Sequence, residues 1–182
     1  MPTRTDPART DPAAVRSTFA RFPSGVAALS ALVHEAPVVV LASSFQVGIS
    51  LTPPLVLFAV QHGSFSWSQL RTAPRIGVSV LASAHRPSVP TLTRKDLSAR
   101  FDGLETEVAA TGAHYLSGAA AWMECSVHSE TAAGDHDVVV LRVHDLGHAA
   151  DVDPLVWHGS TFRTLRGTAT SPDHEDSGRT PQ

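Results

Sequence analysis

Short apolar runs recur along the chain, separated by segments rich in glycine, proline, serine and aspartate. Most are rich in β-branched residues, and several alternate apolar with polar positions, as half-buried strands do. The runs are GVAALSALV, APVVVLA, LVLFAV, RIGVSVLA, AAWMECSVHSE, DVVVLRVHDLG, PLVWHG and TFRTL. So many strands with few helical stretches between them predict a mainly β domain built as an antiparallel barrel. The G-x-G-x-x-G fingerprint of a Rossmann domain does not occur in the sequence.

Helical spacing occurs once before the strands and twice among them. The stretch TDPAAVRSTFARF has an N-cap candidate in Asp11, proline at the first helical position, and apolar residues at Val15, Phe19 and Phe22. A second helix is predicted in SFSWSQLRTAP, with Ser64 as its N-cap, and a third around TRKDLSARF. These helices are short additions to a β domain.

Composition limits the partners and the location. The chain has 182 residues and 42% hydrophobic content, which suits one domain over residues 12–166 with flexible tails at 1–11 and 167–182. A net charge of -3 argues against a nucleic-acid partner. No apolar run resembles a signal peptide or a membrane span, so we expect a cytoplasmic protein. The single cysteine, Cys125, lies in an alternating run and is expected to be a buried strand thiol.

The segment between the apolar runs APVVVLA and LVLFAV contains serines, a glycine and two prolines. Ser43, Ser44 and Ser50 offer hydroxyls, Gly48 permits close backbone approach, and a Pro-Pro pair is expected to stop sheet pairing before the next strand. Such a crossover suits a ligand. Taken alone, it is more typical of a polar loop whose serines satisfy their own backbone.

A second polar crossover and a histidine follow. Gly63, Ser64 and Ser66 stand where a strand gives way to a helix, an arrangement that suits an anion but is also an ordinary helix cap. His136 follows the turn at Gly134 and opens a buried strand, where it would either contact a planar ligand or be a surface hairpin residue.

Metal and hydrolase chemistry find no support in the sequence. His144 and His148 are four residues apart, but they lie in a β run that contains a glycine, and no third ligand has suitable spacing. No G-x-S-x-G elbow and no Ser-His-Asp order is present. We therefore expect no metal.

Three stretches in series, with the opening FARFPSGVAALSA, resemble the flavin reductase family, whose fold is the FMN-binding split β-barrel. They are ASSFQVGISLTPPLVLFAVQ, SFSWSQLRTAPRIGVSVL and AAGDHDVVVLRV, and the likeness covers roughly residues 14–166. The resemblance implies an antiparallel, Greek-key-like barrel that transfers hydride from NADH or NADPH to FMN or FAD. It also implies a homodimer, and a flavin-dependent monooxygenase that receives the reduced flavin.

The resemblance also implies site residues. His136 matches the family histidine that contacts the nicotinamide, with a positioning role, and Asp135 and Ser24 are expected on the same side. Flavin contacts are expected along one strand, in both crossovers and at one arginine. They are Pro37, Val39, Leu41, Ser43, Ser44, Phe45, Gln46, Val47, Ser50, Ala59, Val60, Gln61, Ser64, Ser66, Trp67 and Arg100.

The sequence departs from the family pattern at several positions. Phe65 interrupts the hydroxyl pair before the tryptophan, and Pro87 and Pro90 stand where relatives continue a helix, so Arg94 or Arg100 would have to replace a basic flavin contact. Asp137 adds a negative charge that would disfavour the extra phosphate of NADPH. Two alternatives to a reductase stay open: a flavin-binding barrel without reductase activity, and a barrel that has lost flavin.

Overall fold

The computed structural model describes residues 11–165, so the predicted tails at 1–11, apart from Asp11, and at 167–182 lie outside the described residues. Strands dominate this part of the chain. They are β1 Ser24–Gly25, β2 Ala27–Val33, β3 Ala36–Ala42, β4 Gln46–Leu51, β5 Pro54–Gln61, β6 Ile76–Val80, β7 Thr106–Val108, β8 His114–Leu116, β9 Ala121–Ala133, β10 His136–His148, β11 Leu155–His158 and β12 Thr161–Thr164. The prediction of a mainly β fold with few helices is confirmed.

The helices are short. They are α1 Pro12–Phe19, α2 Phe65–Leu70 and α3 Val89–Leu92, with 3-10 turns at Ser83–Ser88 and Leu97–Ala99. Asp11 caps α1 as predicted, because its carboxylate accepts from the Ala13 N–H at 3.1 Å. The third predicted helix, around 93–101, is wrong except for the 3-10 turn at Leu97–Ala99. Pro87 and Pro90 instead lie within helical segments, the turn Ser83–Ser88 and α3. None of the helices in the described region is long and apolar enough to cross a membrane.

The main sheet has seven strands in the order β3-β2-β6-β9-β10-β5-β4, and every neighbouring pair is antiparallel. A smaller sheet pairs β1, β11 and β12, and β7 pairs with β8. The expectation that the prolines prevent pairing is wrong, because β4 and β5 form a tight hairpin in which Leu51 faces Pro54. β5 tolerates Pro54 because it is the first residue of the strand, and the pairing of β5 with β10 begins only at Leu55.

β9 and β10 form a long two-stranded ribbon whose turn lies beside the end of β5. Each strand has 13 residues, and the turn between them holds Gly134 with φ +67. At the start of β10, His136 pairs with Ala133 on one side and with Gln61, the last residue of β5, on the other. The end of β5 and the mouth of the ribbon therefore lie side by side.

Two apolar clusters fill the interior. The larger contains the fully buried Phe58, Leu29, Ile76 and Leu141, and the smaller groups Leu81, Leu92, Leu116 and Leu155. Cys125 is fully buried on β9, as the sequence predicted. This burial raises the pKa of its thiol to about 12.

β8 packs directly on β6 at a position without a side chain. A Cβ on Gly77 would overlap the backbone carbonyl of His114 and come within 2.8 Å of the Tyr115 ring. His114 itself is 3% exposed, its Nδ1 has no hydrogen-bond partner within residues 11–165, and its ring lies 4.5 Å from that of Phe101. Burial lowers the pKa of His114.

Candidate functional site

Both polar crossovers and the mouth of the β9–β10 ribbon border one cavity of about 470 Å³, which we call the crossover cavity. Its size falls within the range of small-molecule sites. It is lined by Val40, Leu41, Ala42, Ser43, Ser44, Ala59, Val60, Gln61, His62, Gly63, Ser64 and His136. Serine hydroxyls, one glycine and two imidazoles therefore line the same cavity at the end of the barrel.

Ser44 holds the first crossover against β5. Its hydroxyl accepts from the Ala59 N–H and donates to the Ala59 carbonyl, both at 3.0 Å. Ala59 lies opposite Val138 of β10 on its other side, and β4 begins only at Gln46, so the serine hydroxyl takes the place of a missing strand partner. Ser43 beside it makes no side-chain hydrogen bond within the described residues and is exposed. One serine therefore clamps the backbone, while the other offers its hydroxyl to the cavity.

The second crossover turns tightly into α2. The Ser64 N–H donates to the Gln61 carbonyl at 3.1 Å, and the Ser64 hydroxyl accepts from the Trp67 N–H at 3.3 Å, so the predicted N-cap is confirmed. Gly63 has φ +79, a conformation that favours glycine, and a Cβ there would meet open space. The backbone at Gly63 is therefore not covered by any side chain on this side of the cavity.

Two histidines on the cavity wall are each held by an aspartate. The His136 Nδ1 lies 2.7 Å from an Asp135 carboxylate oxygen, and this hydrogen bond lowers the pKa of Asp135. The His62 Nε2 lies 3.1 Å from the Asp137 carboxylate, and its backbone N–H donates to the Asp135 carbonyl at 3.1 Å. The bond to Asp135 leaves the Nε2 atom of His136 for another partner.

Arg100 lies behind the cavity. Its Nη1 donates to the Val39 carbonyl at 3.1 Å and to the Ser66 hydroxyl at 2.8 Å, and its Nε donates to the Arg94 carbonyl at 2.7 Å. Burial lowers the pKa of this guanidinium. The arginine thus joins the segment after α3 to β3 and α2, and Ser66 is committed to it.

The structure brings together only part of the predicted set. Trp67 is 4% exposed and packs edge-on against Phe58 at 5.1 Å, so its ring faces the core. Ser50 donates to the Pro53 carbonyl at the opposite end of β5. The predicted residues that do not line the crossover cavity or the groove beside it are Pro37, Val39, Val47, Ser50, Ser66, Trp67, Arg100 and Asp135.

A second depression of about 510 Å³, which we call the helix groove, adjoins the crossover cavity and shares Ser43 and Ser44 with it. It is lined by Arg16, Phe19, Ala20, Phe22, Ser24, Ser43, Ser44, Phe45, Gln46, Trp157 and Ser160. The predicted Ser24, Phe45 and Gln46 are therefore here. The contributions of α1, of the β11–β12 hairpin and of His62 were missed; the only sequence signal was a helix with an apolar face and the aromatic WHGSTF stretch.

Comparison with known proteins identifies relatives of the whole domain. A family model described as "Flavin reductase like domain" matches residues 19–166. The chain is 29% identical to a flavin reductase of Pseudomonas putida, over 81% of this chain and 86% of that protein. It is 30% identical to the reductase subunit HsaB of a flavin-dependent monooxygenase of Mycobacterium tuberculosis, over 92% and 89% of the two chains.

A solved structure shares the fold. The NADH:FAD oxidoreductase SgcE6 of Streptomyces globisporus, in complex with NAD and FAD fragments, superposes with a TM-score of 0.80. It is 27% identical in sequence, and the alignment covers 94% of this chain and 99% of that one.

Proposed function

The chain belongs to the flavin reductase-like family, and we propose that it transfers a hydride from NADH or NADPH to FMN or FAD bound in the crossover cavity. The observation that carries the proposal is the meeting of both serine crossovers and His136 around one cavity. As an oxidoreductase, the protein needs to hold two planar cofactors face to face and to exclude water from between them.

The residues around the crossover cavity fit a flavin. The wall offers hydroxyls at Ser43 and Ser64, bare backbone at Gly63, and apolar surface at Leu41 and Val60. This combination suits a flat ring with a polar, phosphorylated chain. Bound there, the flavin supplies the hydride acceptor.

Each part of the wall has its own task. Ser44 fixes the first crossover on Ala59, and the free Ser43 hydroxyl and the backbone around Gly63 hold the polar chain. His136, fixed by Asp135, presents Nε2 to the nicotinamide carboxamide, which donates to it. Hydride transfer requires no protein acid or base, so these groups position the cofactors rather than move protons. Arg100 supports the wall from behind through Val39 and Ser66.

Reduced flavin passes to a separate monooxygenase in this proposal, and the reductase subunit HsaB among the relatives supports it. A homodimer is part of the proposal as well. Its support is the edge strand β4, on which Val47, Ile49 and Leu51 are 53%, 39% and 84% exposed. Apolar side chains exposed in a row on an edge strand are typical of an interface. A cytoplasmic location accords with the use of reduced nicotinamide cofactors.

Purified protein tests the function directly. We expect loss of the absorbance of NADH or NADPH when FMN or FAD is added, and anaerobic bleaching of the flavin in equal amount. Flavin that binds without this turnover would select the non-catalytic alternative. If neither flavin binds, and neither raises the melting temperature, the protein is a barrel that has lost flavin.

A further inference from the structure

We propose that the helix groove binds the adenosine diphosphate half of the nicotinamide donor, with Arg16 contacting its phosphates. The inference rests on the proposed function and adds a subsite to it. It concerns a surface formed by α1 and the β11–β12 hairpin, outside the crossover cavity.

Arg16 supplies the charge. It is the one charged side chain among the residues that line the helix groove, and within residues 11–165 it forms no salt bridge. It is exposed on α1, whose end is tied to the hairpin by the Gly159 N–H, which donates to the Ala20 carbonyl at 2.7 Å. An unpaired guanidinium at the border of a cleft suits a diphosphate, which accepts two parallel hydrogen bonds from it.

Aromatic side chains supply the rest of the surface. Phe19 and Phe22 are each 73% exposed, although both are large and apolar. Trp157 lies across from them on β11, directly opposite Ser24 in the sheet register, and is braced by Phe162 at 4.9 Å. Aromatic faces next to a cation match a purine base joined to phosphates.

The position of the helix groove determines which ligand it receives. Ser43 and Ser44 line both depressions, so a molecule that extends from the crossover cavity past the first crossover enters the groove. A nicotinamide dinucleotide extends in this way, with its nicotinamide beside His136. Every such donor has an adenosine diphosphate unit, whereas of the two flavins FAD has one and FMN has none, so we assign the groove to the donor.

Steady-state kinetics with two donors test the assignment. Arg16→Ala should raise the KM for NADH about 5- to 10-fold with kcat unchanged, the loss expected for one charge-assisted contact in a partly exposed site. Reduced nicotinamide riboside lacks the adenosine and both phosphates, and its KM should not change. Arg16→Lys should recover part of the loss. Arg21→Ala is the matched control, because Arg21 is also exposed but does not line the groove.

Calorimetric titration with ADP gives a readout that does not depend on turnover. Wild type and Arg21→Ala should bind ADP alike, and Arg16→Ala more weakly. An unchanged KM for NADH, an equal rise for both donors, or no ADP binding by wild type would overturn the subsite. The subsite would also be overturned if Arg16→Ala raised the KM for FAD more than that for FMN and left the KM for NADH unchanged. If wild type binds ADP but oxidises no NADH with either flavin, the proposed function fails and the binding site stands.

Discussion

Ser44→Ala removes the side-chain link between the first crossover and the edge of β5 at Ala59. Two hydrogen bonds of 3.0 Å are lost, one accepted and one donated by the same hydroxyl. Each neutral bond contributes about 1 kcal/mol, and because the site is exposed, water replaces part of what is lost, so we expect about 1 to 2 kcal/mol. For a chain of this length that corresponds to a fall of roughly 2 to 8 °C in melting temperature.

The same change should also reduce flavin affinity, because the crossover that forms one wall of the crossover cavity is no longer fixed. Ser43→Ala is the matched control: Ser43 lines the same cavity but makes no side-chain hydrogen bond within the described residues. We expect that variant to melt like wild type and to lose only its own contact with the flavin.

Differential scanning calorimetry and a flavin titration, followed by protein fluorescence, measure the two effects on all three proteins. Equal melting temperatures for Ser44→Ala and wild type would refute the clamp. So would a Ser43→Ala variant that loses as much stability as Ser44→Ala, since the hydrogen bonds would then not account for the difference.

Three further predictions concern the donor, pH and packing. His136→Ala should raise the KM for NADH about 10-fold and change flavin affinity little, the loss of one hydrogen bond; equal effects, or the same KM change in the exposed His128→Ala, would contradict its role. Burial lowers the pKa of His114, so the unfolded chain binds that proton more readily, and stability should fall as the pH drops below about 6.5. Melting temperatures of His114→Gln should depend less on pH in this range, and an unchanged slope would rule the group out. Gly77→Ala should cost about 3 kcal/mol because β8 must move, whereas Gly25→Ala, with nothing near its Cβ, should cost little; similar urea midpoints would disprove the close approach.

The strands that bury apolar side chains could be predicted from sequence, and β3 extends over the whole predicted run, Ala36–Ala42. β4 was missed: its apolar residues Val47, Ile49 and Leu51 are all exposed, and it contains a glycine. Periodicity reports burial, so an exposed edge strand gives a weak signal. β7 and β8 have three residues each, too few for a pattern.

For the candidate site, local sequence indicated the serine crossovers and His136, because strand ends and turn residues mark them. Which serine hydroxyl is free depends on Ala59, 15 residues away, and the pairing of His62 with Asp137 spans 75 residues. Distances of this kind follow from strand order, which local patterns do not contain. The assignment of individual flavin contacts therefore stays a prediction.

α1 buries none of its side chains, and its end is bonded to the β11–β12 hairpin through Gly159. Evolution can therefore exchange Arg16 or Phe19 without disturbing the barrel, since exposed positions tolerate replacement at little thermodynamic cost. Preference between electron donors would then diverge among homologues faster than the scaffold does. Protein engineers could likewise retune that choice by altering a single surface helix.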